Sequence, residues 1–130
     1  MTQGMIAKMF ESTVYVRIAK NRLRIRHIQQ SKEVAVSAMQ PFTTQRMLVG
    51  NFSSAEKLLK EGMQQLGTGR WFAPAPIMLV HPTEMVEGGL SEIEERALSE
   101  LAMGAGARKA RLWVGHELSD QEVLEKIKGQ

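Results

Sequence analysis

The sequence predicts an α/β protein in which helices cover both faces of a mixed five-stranded sheet. Residues 13–39 hold three runs in which apolar and polar side chains alternate, which is typical of half-buried strands. From residue 53 onward the apolar residues recur at helical spacing, and short apolar runs separate the helical segments. The predicted order is therefore β-β-β-α-β-α-β-α, in which right-handed crossovers add the last two strands parallel to a neighbour.

The three opening runs, at residues 13–19, 22–28 and 33–39, predict an antiparallel meander. Lys20 and Asn21 form the first turn, since asparagine tolerates positive φ. In the second run the arginines face one side and the apolar residues the other. The residues expected to face the core are Val14, Val16, Ile18, Leu23, Ile25, His27, Val34, Val36 and Ala38.

Three capping boxes predict where the helices begin, because each has a serine followed three residues later by a glutamate. They lie at residues 53–56, 91–94 and 119–122, and Leu118 and Val123 are spaced as a hydrophobic staple across the third. Gly67 is placed to end the first helix. The side chains expected to face inward are Ala55, Leu58, Leu59, Met63 and Leu66, then Ile93, Ala97, Leu98 and Leu101, then Val123, Leu124 and Ile127.

The last two strands are predicted at "IMLVH" (residues 77–81) and "ARLWVG" (residues 110–115). Residues 40–52 have the composition of a loop but include Met47, Leu48 and Val49. These three are expected to be buried or to form a short strand.

Length and composition favour one domain, at 1–130, in a reducing compartment. The 130 residues include no cysteine, so disulfides, thiolate metal sites and cysteine nucleophiles are excluded. No apolar run approaches the roughly 20 residues that span a bilayer, and the first residues do not read as a secretory signal. We therefore expect a cytoplasmic protein.

The positive charge is concentrated at the start of the chain. Residues 1–32 carry a net charge of +6 and the remaining residues −3, which together give the net +3 of the chain. Residues 1–12 form a short amphipathic lead segment in which four apolar side chains share one face. It either folds onto the domain, which we favour, or makes a peripheral membrane contact. The four side chains are Met5, Ile6, Met9 and Phe10.

Much of the chain resembles a known family. The resemblance lies in "FAPAPIMLVHP" (residues 72–82), in Glu-Glu-Arg-Ala at residues 94–97 and in "GAGAR" at residues 104–108. The opening "KMFESTVYVRIA" also fits. These stretches resemble the first domain of the MreB-type bacterial actins, the rod shape-determining proteins. The resemblance implies an actin-like, ribonuclease-H-like core, which has the same βββαβαβα order.

The same resemblance argues against catalysis. The family carries an Asp-x-Gly-Thr turn in its first hairpin, where the aspartate serves the metal and the glycine and threonine approach the nucleotide phosphates. Here residues 17–20 read Arg-Ile-Ala-Lys, and the family's Glu-Glu-Pro after the fifth strand reads Val-Gly-His at residues 114–116. The family's second domain has no counterpart in this sequence. We therefore expect no enzyme, no catalytic residue and no cofactor.

The basic hairpin is the candidate anion-binding site, since arginine binds phosphate through a bidentate fork. The alternative, which we favour, is that the arginines line the solvent face of a strand. Nucleic acid is a weak candidate ligand, because Tyr15 is the only aromatic residue among the basic ones. The candidate anion-binding residues are Arg17, Lys20, Arg22, Arg24 and Arg26.

The rest of the chain offers no catalytic or metal motif. His27, His81 and His116 lie on different elements without ligands at metal-binding spacing. Arg70, Trp71 and Phe72 form a candidate interface if exposed, because interfaces favour aromatic residues and arginine; if buried, they close one end of the sheet. The expected function is a pseudo-ATPase subdomain that binds a protein, either a full-length bacterial actin, itself or a membrane-associated assembly factor.

Overall fold

The structure, a computed structural model, describes residues 12–67 and 75–129. Eight elements follow one another in the predicted order. The strands are β1 (Thr13–Ala19), β2 (Arg22–His27), β3 (Lys32–Ser37), β4 (Ile77–Pro82) and β5 (Lys109–Leu112). The helices are α1 (Phe52–Leu66), α2 (Glu92–Gly104) and α3 (Asp120–Lys128).

The five strands form one mixed sheet in the order β3-β2-β1-β4-β5. The hairpin pairs β1–β2 and β2–β3 are antiparallel, whereas β1–β4 and β4–β5 are parallel. The α/β class and the mixed five-stranded sheet are thus confirmed. β1 lies at the centre, paired along one edge with β2 and along the other with β4.

The main core fills the face of the sheet that α1 and α2 cover. Val14, Val16 and Ile18 of β1 are fully buried there, as alternation along the strand predicts. All five apolar residues predicted for α1 are buried, and Gly67 ends this helix in the left-handed conformation at φ 76°. The inward faces of the meander and of α1 are therefore as predicted.

The opposite face carries a smaller core beneath α3. Tyr15 and Leu79 project from the sheet, and Val123 of α3 and Leu118 before it pack on them. Leu124 and Ile127 complete the predicted apolar side of α3. Because α3 has only nine residues, it covers this face near β1 and β4 and leaves the outer part of the hairpin open.

Two of the three predicted capping boxes are present. The side chains of Ser91 and Ser119 each accept a hydrogen bond from the backbone N–H of the glutamate three residues later. The side chain of each glutamate in turn accepts one from the backbone N–H of its serine. The first prediction was wrong, because α1 begins at Phe52 with Asn51 as its N-cap. The side chain of Asn51 donates instead to the carbonyl of Pro41 at 3.1 Å, so the preceding loop sets this helix start.

Two smaller predictions also need correction. Ile93 was expected to face inward but is 74% exposed, because the buried residues of α2, Leu98, Leu101 and Ala102, lie at helical spacing from Glu94 rather than from Ile93. β5 is shorter than predicted and ends at Leu112.

In the segment from 40 to 51, Leu48 and Val49 are buried, which is one of the two arrangements expected for them. Turns rather than a strand shape the backbone around them.

Several predictions fall outside the residues that the structure describes. The candidate interface of Arg70, Trp71 and Phe72 lies there, as does the lead segment with Met5, Ile6, Met9 and Phe10. Among the helices in 12–67 and 75–129, none has the length and apolar character needed to cross a membrane.

Candidate functional site

Four arginines lie on the face of the sheet opposite α1 and α2, and we call them the arginine face: Arg17, Arg22, Arg24 and Arg26. Arg17 of β1 stands directly across from Arg24 of β2 in the antiparallel register. Leu23 and Ile25 between the arginines of β2 are buried on the other side. The alternation predicted for this strand is therefore present.

Acidic residues from distant parts of the chain neutralise the arginine face. Glu117, in the segment between β5 and α3, accepts from Arg17 at 3.2 Å and also pairs with Arg24. The carboxylate of Asp120, the first residue of α3, accepts hydrogen bonds from Nε and Nη2 of Arg26, at 2.7 and 2.8 Å. Their guanidinium partners hold the pKa values of Glu117 and Asp120 below the ordinary values. Arg22 and Arg24 are exposed, as expected for the solvent face of a strand, but Arg24 and Arg26 also pair with acids at or just before the start of α3.

Arg17 is the buried member of the arginine face. Its side chain is 5% exposed, and its guanidinium pairs with Glu33 of β3 at 2.6 Å in addition to Glu117. The guanidinium carbon lies 4.8 Å from the centre of the Tyr15 ring, within the range of a cation–π contact. Arg17 is thus a desolvated cation that internal carboxylates neutralise.

A buried hydrogen-bond chain links the sheet to the segment before α3. The Nε2 of His81 lies 2.9 Å from the carbonyl of Gly115, which can only accept, so Nε2 carries the proton. His81 Nδ1 then accepts from the Tyr15 hydroxyl at 2.7 Å, and the backbone N–H of Leu118 donates to that hydroxyl at 3.1 Å. Burial raises the pKa of Tyr15, which keeps the hydroxyl protonated as the donor in this chain.

The turn between β1 and β2 is held by side chains rather than left open to a ligand. The backbone N–H of Lys20 donates to the carboxylate of Glu84, at 2.7 Å. Asn21 adopts positive φ at 57°, as the turn prediction requires. Its side-chain carbonyl accepts from the backbone N–H groups of Phe42 and Thr43, both at 2.9 Å. The backbone amide of Lys20 in this turn is therefore already bonded to an internal carboxylate.

The open part of the arginine face forms a cleft of about 430 Å³, which we call the arginine cleft. Its floor is low because small residues occupy neighbouring register positions: Arg22 lies between Ala19 and Ser37, and Arg24 faces Ala35. Of the five candidate anion-binding residues, the cleft brings together three, while Arg26 lies beyond it and Lys20 stays in the turn. Its lining residues are Arg17, Ala19, Arg22, Leu23, Arg24, Ala35, Val36, Ser37, Thr83 and Glu84.

Comparison with known proteins gives a family. No family model matches the sequence. The chain is 38% identical over 126 residues to "Uncharacterized protein YjaA" of Escherichia coli (strain K12), a match that covers 90% of this chain and 98% of that protein. The chain belongs to the YjaA family.

This YjaA-family chain also resembles MreB over half of its length. It is 35% identical over 65 residues to the cell shape-determining protein MreB of Haemophilus influenzae and 34% identical over 65 residues to that of Pasteurella multocida. Each match covers 50% of this chain and 17% of the MreB chain. The likeness to MreB-type proteins expected from the sequence is therefore partial.

The YjaA-family chain buries two of its three histidines in separate places. His27 Nδ1 accepts from the backbone N–H of Gln30 at 3.1 Å, so its Nε2–H donates to Ser12 at 3.0 Å. Burial lowers the pKa of both His27 and His81. No group of three metal-ligating side chains occurs in the described part of this chain.

The stability of the folded protein is expected to decrease as the pH falls below about 6.5, the ordinary pKa of histidine. Because the folded-state pKa values of His27 and His81 are depressed, the unfolded chain binds protons in this range that the folded chain does not. The free energy of unfolding therefore falls from pH 6.5 down to the folded-state pKa values. Urea denaturation at a series of pH values measures this slope.

The variant His27→Gln removes one of the two buried titrating groups. We expect it to reduce the slope below pH 6.5. A slope that persists unchanged in a His27→Gln, His81→Gln double variant that still folds would contradict the assignment to these histidines.

Sequence reasoning missed the acidic half of this site. No pattern in the sequence singled out Glu117, Asp120 or Glu84 as partners of the basic hairpin. Glu117, which Arg17 and Arg24 share, lies 93 or more residues away from them in the chain. A local signal was available only for Glu33, which lies in the neighbouring strand directly opposite Arg26.

Proposed function

We propose that this YjaA-family chain is a non-catalytic interaction module with an actin-like, ribonuclease-H-like scaffold, and that it binds a protein. Support for the scaffold comes from the partial similarity to MreB and from the sheet order, in which an antiparallel meander is extended by two parallel strands. Because the MreB matches cover 17% of those chains, the similarity supports only the scaffold, and the protein interaction is argued from the structure below.

The observation that carries the non-catalytic part is the internal pairing at the first hairpin. Arg17 is buried with Glu33 and Glu117 where the family pattern supplies an acid for the metal. The amide of Lys20 donates to Glu84 where the pattern supplies a phosphate contact. A guanidinium repels a metal cation, and a carboxylate repels a phosphate, so both parts of a nucleotide site are opposed by charge.

The surface that we assign to the protein partner is the outer edge of β3. Among the described strands, β3 pairs on one side only, so its other edge can accept an added strand from a partner. Met39, two residues beyond β3, is 99% exposed and supplies an apolar anchor beside that edge. The partners proposed are an MreB-type actin or a second copy of this chain, with a role in bacterial cell shape or cytoskeletal assembly in the cytoplasm.

The immobilised protein is expected to retain purified MreB from the same bacterium, or to self-associate in sedimentation, at moderate salt. Met39→Asp should weaken either association at least about tenfold, because it places a charge at an apolar contact. Ile93→Asp is the matched control, since Ile93 is also an exposed apolar residue but lies on α2, away from β3.

Two outcomes would contradict the proposal. A monomeric protein that retains no MreB, or equal weakening by Met39→Asp and Ile93→Asp, would remove the β3 edge as the interface. Calorimetry of the same protein with Mg-ATP should show no magnesium-dependent saturable heat, and such heat would overturn the non-catalytic assignment.

A further inference from the structure

We propose that the arginine cleft binds a phosphate monoester and that Glu117 occupies part of this site in the free protein. The proposal does not depend on the protein interaction above, because it concerns the sheet face rather than the β3 edge. It rests on the shape of the cleft, on the unequal pairing of its arginines and on the position of Glu117.

The cleft is built into the sheet rather than formed by a chance gap between side chains. Small residues at three neighbouring register positions, Ala19, Ala35 and Ser37, lower the floor between Arg22 and Arg24. α3 stops over Tyr15 and Leu79 and leaves this half of the face uncovered. The volume of about 430 Å³ is within the range of small-molecule sites and exceeds that of a bare phosphate ion.

The pairing of the arginines leaves cationic capacity unused. Glu117 bridges Arg17 and Arg24 with its two oxygens. The guanidinium of Arg22 also lines the cleft, but it has no hydrogen-bond or ion-pair partner among residues 12–67 and 75–129. A carboxylate has two oxygens and one charge, whereas a phosphate monoester offers three oxygens and nearly two charges. A phosphate can therefore contact all three arginines at once.

Glu117 is suited to leave when such a ligand arrives. Its side chain is 53% exposed and belongs to a segment without regular structure between β5 and α3. Its ion pair with Arg24 is exposed on both sides and contributes little stability, so displacing that pair costs little. Arg17 keeps its contact with Glu33 at 2.6 Å when Glu117 moves, and the guanidinium therefore stays in place.

The orientation of the ester follows from the remaining lining groups. Glu84 repels an anion at the end of the cleft near the β1–β2 turn, so the phosphate is expected at the Arg17–Arg24 end. The hydroxyl of Ser37 has no partner among the described residues and can donate to a ligand oxygen. Ala19 and Ala35 then provide an apolar floor for the organic part of the ester.

The test is titration of the protein with phenyl phosphate, inorganic phosphate and benzoate, at constant ionic strength and with EDTA to remove divalent metal. Binding is followed by NMR at the Arg22 and Arg24 side chains and at the Ala35 and Ser37 amides. We expect saturable shifts at these positions, with phenyl phosphate binding more tightly than either of the other two compounds.

Three variants make the test specific. Glu117→Gln should strengthen phenyl phosphate binding by up to about tenfold, because it removes the competing carboxylate. Arg22→Gln should weaken it about tenfold by removing a charge-assisted contact. Arg96→Gln is the matched control, because Arg96 is exposed on α2, on the other side of the sheet, and it should leave binding unchanged.

The inference is overturned if Glu117→Gln protein shows no saturable shift at the cleft with phenyl phosphate. It is also overturned if Arg22→Gln and Arg96→Gln bind equally well, or if benzoate binds as tightly as phenyl phosphate. Within 12–67 and 75–129 the Arg22 side chain has no hydrogen-bond or ion-pair partner, so a loss of binding in Arg22→Gln can be assigned to the site once the unliganded spectrum proves unchanged.

Discussion

Phe42→Ala is expected to lower the free energy of unfolding by about 3–5 kcal/mol, which corresponds to a decrease in melting temperature of roughly 10–20 °C. Phe42 is fully buried in the main core, although it belongs to the irregular segment between β3 and α1. Its backbone N–H donates to Asn21, and its carbonyl accepts from Gly50 and Asn51. Because these bonds fix the backbone on both sides, the segment cannot collapse to fill the cavity that alanine leaves.

Phe52→Ala is the matched control for this measurement. Phe52 opens α1 and is only partly buried at the border of the same core, so we expect it to cost clearly less. Thermal and urea unfolding of both variants give the comparison. If Phe42→Ala lowered the free energy of unfolding as little as Phe52→Ala does, Phe42 would not be a core residue, and the packing described here would be contradicted.

Local signals in the sequence were sufficient to predict most of the elements. Alternation located the faces of β1 and β2, and two serine–glutamate pairs located the starts of α2 and α3, because each of these features depends on residues a few positions apart. The start of α1 was predicted wrongly for a related reason. The serine–glutamate spacing of a capping box occurs at Ser53, but the helix begins at Phe52, where Asn51 donates to the carbonyl of Pro41, ten positions earlier in the chain.

The site could be predicted only in part, because its charges come together through the fold. The basic residues were visible as a run, and their shared face followed from the strand period. Their counter-charges were not visible, since Glu117 meets Arg17 across 100 residues of sequence. The cleft was also invisible, because it results from small residues of β1 and β3 in register with the arginines of β2 and from the short reach of α3.

Tyr15→Phe is expected to lower the free energy of unfolding by about 2–4 kcal/mol, although it removes a single oxygen atom. The Tyr15 hydroxyl donates to His81 and accepts from the N–H of Leu118, and all three residues are buried. Phenylalanine leaves both of these groups without a partner, and water cannot readily reach them. The loss of the Leu118 contact also releases the start of α3, which has only Val123 fully buried.

Hydrogen exchange tests where the effect of Tyr15→Phe is located. We expect amides of α3 to exchange faster in this variant, whereas the exchange rates of α1 amides should change only as much as the global stability changes. Thr43→Val is the matched control, since the Thr43 hydroxyl likewise accepts one bond, from Asn21, and donates one, to Leu48. Thr43→Val should destabilise the segment before α1, and it should not accelerate hydrogen exchange in α3 more than in α1. If Tyr15→Phe alone accelerates exchange selectively in α3, the Tyr15–His81 chain holds Glu117 over the arginine cleft. If the two variants affect α3 equally, α3 is attached by its apolar side instead.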